Sequence, residues 1–366
     1  MRRPPARYVL ALLAVLLLAS TLAATSSSPG SGETSRQAGT PAEKGPVGTT
    51  RSDQRPEGVV TLAFAGDVHF ELHLADLLAR PDGALGGVTR TLRAADLTMV
   101  NLESSATRRG AREPKDYHFR TSPEALDVLD RAGVDVIGLA NNHSVDYGID
   151  GLTDTVRAAR TSPAPVVGIG RNAREAYRPH RVSVRGTDLA FFAASTKRER
   201  TSQRWAARPR TPGIATAVEG RPRRLLRAVR SAGRRDDVVV VYLHWGTESD
   251  SCPGVKQRIL ARALAEAGAD VVVGSHAHVL QGSGWTGKTY VNYGLGNFVW
   301  YHNQRSESGV LQVRIEDGQV VDDGWVPARI GTAGRPRILT GKERQAAVSD
   351  WDALRGCAGL ATRPAS

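Results

Sequence analysis

Acidic residues, cysteine and aromatic side chains are all scarce in this chain of 366 residues, and each shortage narrows what it can be. Aspartate and glutamate number 37 against 49 lysines and arginines, a formal net charge of +12. That balance suits anionic partners such as cell-wall polymers, lipid headgroups or an acidic substrate. Arginine-rich usage runs through the whole Ala/Gly-heavy composition, however, so charge alone names no partner. Nucleic acid is not expected: aromatics make up 5% of the chain, no basic helix interleaves them, and no zinc-finger spacing occurs. No internal repeat recurs at a fixed period, and no segment beyond the N-terminus is long and apolar enough to cross a membrane.

The N-terminus is the exception. "MRRPPARYVLALLAVLLLASTLAA" places three arginines before an uncharged apolar run from Tyr8 and ends in small residues around Ala23 and Ala24. Residues 1–24 therefore read as a secretory signal, with an uncleaved N-terminal anchor as the alternative. The expected location is outside the cell, free or attached to the outer face of the cytoplasmic membrane. Cleavage would take Arg2, Arg3 and Arg7, three of the twelve net positive charges, and leave +9. No cysteine lies near the cleavage region, which argues against a lipoprotein. Residues 25–57 are Ser, Thr, Gly and Pro with scattered charge, a composition that reads as a disordered linker. One folded domain is expected over 58–360. The only cysteines, Cys252 and Cys357, are expected to form a disulfide that ties the C-terminal tail to the loop after "YLHWG", with two unpaired thiols as the alternative.

Within the domain, strands and helices alternate. "VVTLAFA" (59–65), "DLTMV" (96–100), "VDVIGLA" (134–140), "DDVVVVYL" (236–243) and "DVVV" (270–273) read as strands. Helices are expected over "SPEALDVLDRAG", about 149–160 and about 255–268. The pattern implies an α/β fold with parallel strands at its centre, two β-rich layers and flanking helices. Ligands of such sheets bind beyond the carboxyl ends of the strands. Nine polar residues cluster there: Asp67, His69, Asn101, Glu103, Asn142, His143, His244, His276 and His278. Each alone has an ordinary use in a cap, a turn or a loop hydrogen bond. Together they offer carboxylate, imidazole and amide, the ligands of a borderline-hard divalent ion. In "DVVVGSHAHVLQG" (270–282), an extended backbone would send His276 and His278 to one face, about 6.5–7 Å apart along the chain. That spacing suits one imidazole to each of two ions.

The ordered set "GDV", "VNLE", "FRTSPEALDVLDRAGVDVIGLANNHSVDYG", "HWGTE", "GSHAHVLQG" and "YGLGNF" resembles the bacterial capsule-synthesis CapA family, linked to poly-γ-glutamate, within the calcineurin-like metallophosphatase superfamily. The resemblance covers about residues 59–316. It implies a four-layer α/β/β/α metallophosphatase sandwich holding two divalent metal ions of the Mn, Fe or Zn class. It further implies Asp67, His69 and His278 on the first ion, Asn142, His244 and His276 on the second, and Glu103 bridging them. His143 would be the catalytic residue, a general acid or transition-state stabiliser. This chain departs from the superfamily at Glu103, where an aspartate of a Gly-Asp-x-x-Asp motif is usual. It departs again at Ser144, where an orienting carboxylate is usual and Asp146 is only a partial substitute.

Glu248, Gln281 and Asn297 share the same loops and are candidate substrate or supporting contacts. Arg120, just ahead of a helix start, is the candidate anion contact. The run "KRERTSQRWAARPR" (197–210) holds six positive residues and one negative, and would line a polyanion path or simply be a solvated loop. The reading is a cell-surface protein with a two-metal hydrolase-type site, cutting a phosphoester or an amide bond. Its role would be the synthesis, export or anchoring of an anionic capsule polymer, with a membrane-bound synthase complex as partner. A phosphoesterase unrelated to capsule, a non-catalytic polymer-binding accessory subunit and a structural domain that has merely kept the motif are the alternatives.

Overall fold

The computed structural model describes residues 56–218, 222–235, 237–302 and 304–365. The expected signal (1–24) and nearly all of the expected linker (25–57) lie outside these residues. The first strand, β1 (Val59–Val68), is followed by β2 (Leu97–Leu102), β3 (Val136–Gly138) and β4 (Val166–Val167), paired side by side in parallel. A second sheet takes the next six strands: β5 (His180–Val184), β6 (Thr187–Ser195), β7 (Val238–His244), β8 (Val271–Ser275), β9 (Leu280–Thr286) and β10 (Thr289–Leu295). Its order is β9-β10-β8-β7-β6-β5, with β6, β7, β8 and β10 parallel. The chain then returns to the first sheet through β11 (Asn297–Val299), β12 (Glu307–Glu316), β13 (Gln319–Ile330) and β14 (Pro336–Ile338). That sheet runs β14-β13-β12-β1-β2-β3-β4, with β11 alongside β1.

Alternation along the strands builds the layers. In β1, Val60, Leu62 and Phe64 face the core between the sheets, which Val240, Tyr242 and Val273 enter from the other side. Ala63 and Ala65 turn the other way, against α1 (Ala125–Arg131) and α2 (Gly148–Thr161). In the second sheet Val239, Val241 and Leu243 pack on α3 (Arg223–Gly233) and α4 (Val255–Glu266). Strands covered on both faces read as continuous apolar runs, which is why "VVVVYL" shows no polar alternation. Each such side chain contributes about 1.5–3 kcal/mol by leaving water. The result is the expected four-layer α/β/β/α sandwich. Tyr242 links its two inner layers, donating from its hydroxyl to Ala65 O at 2.9 Å.

The disulfide between Cys252 and Cys357 is present, with the Cα atoms 5.6 Å apart. It anchors the segment after α5 (Gly341–Ala353), whose Trp351 stacks on Trp325 of β13 at 5.5 Å. Four strands run further than the sequence suggests. Asp67, Asn101, His244 and Ser275 are strand residues locked into the ladders, not members of the loops beyond them.

Candidate metal centre

Both sheets end at one site. β1, β2 and β3 deliver Asp67, Glu103 and the Asn142–His143 pair, and β7 and β8 deliver His244, His276 and His278. Gly66 and Gly274 permit the close approach. A Cβ on Gly66 would sit 1.9 Å from Gly296 O, and one on Gly274 would sit 2.0 Å from Trp245 Nε1. The "GDV" motif thus presses against "YGLGNF", and Asp67 is registered opposite Asn297.

The side chains converge. His244 Nε2 lies 2.7 Å from Asn142 Oδ1, 3.0 Å from His276 Nδ1 and 3.3 Å from Glu103 Oε1. His278 Nδ1 lies 3.8 Å from Asp67 Oδ2. Two sets of ligand atoms each fall within 4.8 Å of one another: Asp67, Glu103 and His244, and Glu103, His276 and His278. Glu103 belongs to both. Neither of its carboxylate oxygens has a hydrogen-bond partner, nor has His276 Nε2, and both residues are fully buried. Buried polar atoms left unpaired cost about 1–3 kcal/mol each, more when charged. A divalent cation would satisfy all three atoms, and the donors are of the type such ions take. The charge balance agrees. Burial opposes the imidazolium of His244, yet Glu103 and Asp67 overcome it and push the ring up to about 9. The cluster therefore draws in positive charge.

The loop after β8 is not extended. His276 has φ 91° and His278 φ 56°, a left-handed backbone that costs non-glycine residues of order 1–3 kcal/mol. The expectation that alternate side chains of an extended segment share a face therefore fails. Two bends bring the rings together instead, 5.5 Å between centroids, and His276 N donates to Asp67 Oδ2 at 2.9 Å.

His69 is buried beside the site but belongs to neither set. Its ring packs on Phe119 at 4.7 Å and against Trp300 at 4.3 Å, with Glu71 N 3.1 Å from Nδ1 and Tyr301 N 3.4 Å from Nε2.

His143 stacks on Phe119 at 4.1 Å, with Nδ1 2.6 Å from Asp146 Oδ2 and Nε2 3.8 Å from Glu103 Oε1. Asp146 thus places a carboxyl against His143 from two residues beyond Ser144. Lys115 Nζ lies 2.9 Å from Asp146 Oδ1 as an ion pair without hydrogen-bond geometry. Burial pulls His143 down to about 3 despite Glu103, and pushes Asp146 up to about 7 despite Lys115.

Lys115 also donates to Asn142 O at 3.0 Å and Glu199 Oε2 at 2.9 Å, while Asn142 Nδ2 donates to Glu199 Oε1 at 2.7 Å. Glu199 therefore turns the amide so that its oxygen faces His244. Neither residue was singled out from the sequence, although Glu199 is the one acid in the arginine-rich run. Asn101 holds Asp67, its Nδ2 donating to Oδ1 at 2.7 Å.

The remaining candidates separate. Asn297 is buried with Oδ1 2.8 Å from His278 Nδ1, so it orients that ring and leaves Nε2 for a ligand. Gln281 is also buried, and spends its amide on Gln257 and Asp250 O at 2.8 and 2.7 Å, a brace behind the site. Glu248 and Arg120 are exposed, the latter with its guanidinium 4.4 Å over Tyr147.

Comparison with known proteins accords with this geometry. The profile of the bacterial capsule synthesis protein family PGA_cap matches residues 61–302. The PGA biosynthesis protein CapA of Bacillus subtilis (strain 168) is 31% identical over 248 residues, covering 67% of this chain and 64% of that one. This chain therefore spans just under two thirds of that relative. The capsule biosynthesis protein CapA of Bacillus anthracis is 29% identical over 300 residues, 77% of this chain and 70% of that one. A probable polyglutamine synthesis accessory protein of Mycobacterium tuberculosis (strain ATCC 25618 / H37Rv) is 28% identical over 255 residues, 65% and 67% respectively. A solved novel phosphatase of Mycoplasma pneumoniae shares 13% identity over 79% of this chain and 97% of that one, at a TM-score of 0.44, too slight a likeness to bear on activity. With a profile match over most of its length and a buried carboxylate–imidazole cluster on the matched loops, the chain belongs to the bacterial capsule synthesis protein family.

Proposed function

We propose that this chain is a cell-surface, metal-dependent hydrolase-type component in the synthesis, export or anchoring of an anionic capsule polymer such as poly-γ-glutamate. A membrane-bound synthase complex is its proposed partner, and residues 1–24 are its proposed route of export. The single observation that carries the reading is the buried Glu103 carboxylate, without a hydrogen-bond partner and standing among imidazole groups, with His143 beside it.

Asp67, Asn142, His244, His276 and His278 would hold two ions around Glu103. What the ions supply when bound is Lewis acidity towards a phosphoryl or carbonyl oxygen and a lowered pKa for water. The protein does the rest. Asn101 and Asn297 fix the directions of Asp67 and His278. Asp146 fixes the His143 ring through Nδ1 and turns Nε2 towards the site, where the ring would act as general acid or transition-state stabiliser. Phe119 and Trp300 wall the site and limit water.

Metal content of the purified chain is the first test, followed by turnover of poly-γ-glutamate, bis(p-nitrophenyl) phosphate and p-nitrophenyl phosphate with added manganese. Two ions per chain and a turnover abolished by His143→Ala support the reading. Turnover of the phosphoesters alone would make the chain a phosphoesterase unrelated to capsule. Two ions without any turnover would favour a non-catalytic accessory subunit; the mycobacterial relative is described as a probable polyglutamine synthesis accessory protein. Absence of bound metal under metal-replete conditions overturns the proposal.

A further inference from the structure

The geometry points to a second, metal-independent site: an arginine-lined groove on the outer face of the second sheet that takes a linear polycarboxylate chain. It lies between the short helix Ala173–Ala176 and α3, as two adjoining cavities of about 580 and 610 Å³ that share Tyr177, Arg224 and Arg227. Arg174, Arg208 and Arg223 add three further guanidinium groups to the lining. All five guanidinium groups are exposed, and none has a carboxylate within ion-pair distance among the described residues. Several exposed arginines elsewhere do have one. Arg108 pairs with Glu124, Arg109 with Asp154, Arg131 with Asp82, Arg171 with Glu175 and Arg337 with Glu343. Like charges gathered without a counter-charge among the described residues repel one another, and an anion in the groove would relieve that.

The floor is fixed. Tyr177 Oη donates to Thr216 O at 2.7 Å and accepts from Thr216 N at 2.9 Å. Thr216 in turn bridges to Ser195, which is registered against His244 of the metal centre. The arginine-rich run covers the same ground, from Glu199 at Asn142 to Arg208 in the groove. Groove and metal centre are thus neighbours on one edge of the sheet.

An extended ligand fits better than a small one. No charged group in the lining is buried, so a single anion would stay half-solvated and weakly held, whereas a chain of anions adds many such contacts. Guanidinium favours the two-oxygen geometry of a carboxylate. Nucleic acid is disfavoured because Tyr177, whose hydroxyl is already committed, is the one aromatic residue in the lining and no stacking platform exists. The inference rests on the anionic-polymer reading above, for which the groove would be the track that feeds or holds the chain.

The test is fluorescence anisotropy of labelled poly-γ-glutamate with the exported chain, comparing wild type, the Arg224→Glu/Arg227→Glu double variant and a Lys342→Glu/Arg344→Glu control with the same charge change on α5. The groove variant should bind about tenfold more weakly, the control within about twofold, with wild-type affinity falling as salt rises. Metal content should be unchanged in both. Equal weakening in the two variants, an unaffected groove variant, or polyphosphate or single-stranded DNA binding as tightly as polyglutamate would overturn the assignment. The readouts are separable: a metal-free chain that still binds polymer through the groove sinks only the hydrolase reading, and a metal-loaded, active chain indifferent to Arg224 and Arg227 sinks only the groove.

Discussion

His143 Nδ1 and Asp146 Oδ2 stand 2.6 Å apart, both buried, with Lys115 on the carboxylate's far oxygen. The contact fixes which ring nitrogen meets Asp146 and which meets the site. Asp146→Asn keeps the shape but presents an amide of uncertain handedness to Nδ1, and should lower turnover by about 10²-fold or more. Metal content should stay at the wild-type level. Turnover unchanged in the variant would remove His143 from the chemistry.

Metal binding should depend unequally on the ligands. Glu103→Gln removes the group common to both sets and should lose both ions, while His276→Ala or His278→Ala should lose one and weaken the other. Ions at about 100 times their Kd should stabilise wild type by about 2.7 kcal/mol for each ion bound and leave the variant unmoved. Elemental analysis and thermal melts with and without manganese read both effects. A wild-type content of one ion per chain would refute the two-ion arrangement.

Glu199 should matter although it touches no ligand-binding atom of the histidines. Glu199→Ala frees the Asn142 amide to rotate and leaves Lys115 with one acidic partner fewer. Loss of a supporting group of this kind weakens metal affinity by about 10–100-fold. Isothermal titration with manganese measures it, and an unaltered affinity would return Glu199 to the role of a surface residue.

The disulfide closes a sequence separation of 105 residues. The chain-entropy account assigns about 4.7 kcal/mol to a loop of about 100 residues, and measured losses are more often about 2–4 kcal/mol. Cys357→Ser, or reductant, should lower unfolding stability by that smaller amount in a urea titration. A coincident curve would show that α5 and the tail hold without it.

Asp270 accepts a hydrogen bond from Val239 N at 2.8 Å, and burial pushes its carboxyl up to about 6 in spite of that bond. A carboxyl whose folded pKa exceeds its unfolded value binds its proton more tightly in the native state. Through this group, stability therefore rises as pH falls from about 6 towards about 4 and is lower above about 6. Asp270→Asn should match or exceed the wild-type melting temperature near pH 7.5 and lose that advantage near pH 4.5. A difference that did not vary with pH would contradict the assignment.

Much of the fold and the site was legible in the chain. Apolar runs such as "VVVVYL" and "DVVV" announce strands buried on both faces, and Gly133 at φ 90° ends α1 where a glycine was expected to. Polar residues following those runs had to gather at one edge, because parallel strands all point the same way. Asp67, Glu103, Asn142, His143, His244, His276 and His278 could be named on that ground. Tertiary structure alone decided how they meet. The bends at His276 and His278 come from hydrogen bonds and packing with Asp67 and Asn297, partners that no local pattern specifies. His69 stands two residues from Asp67, and its ring packs on the Phe119 and Trp300 rings from distant loops. Asp146 replaces the carboxylate missing at Ser144 because the turn after β3 carries it back to His143, and Glu199 reaches Asn142 across 57 positions of sequence. Residue type and period determined which groups would be present and on which edge; distances of a few ångströms between remote loops determined what each of them holds.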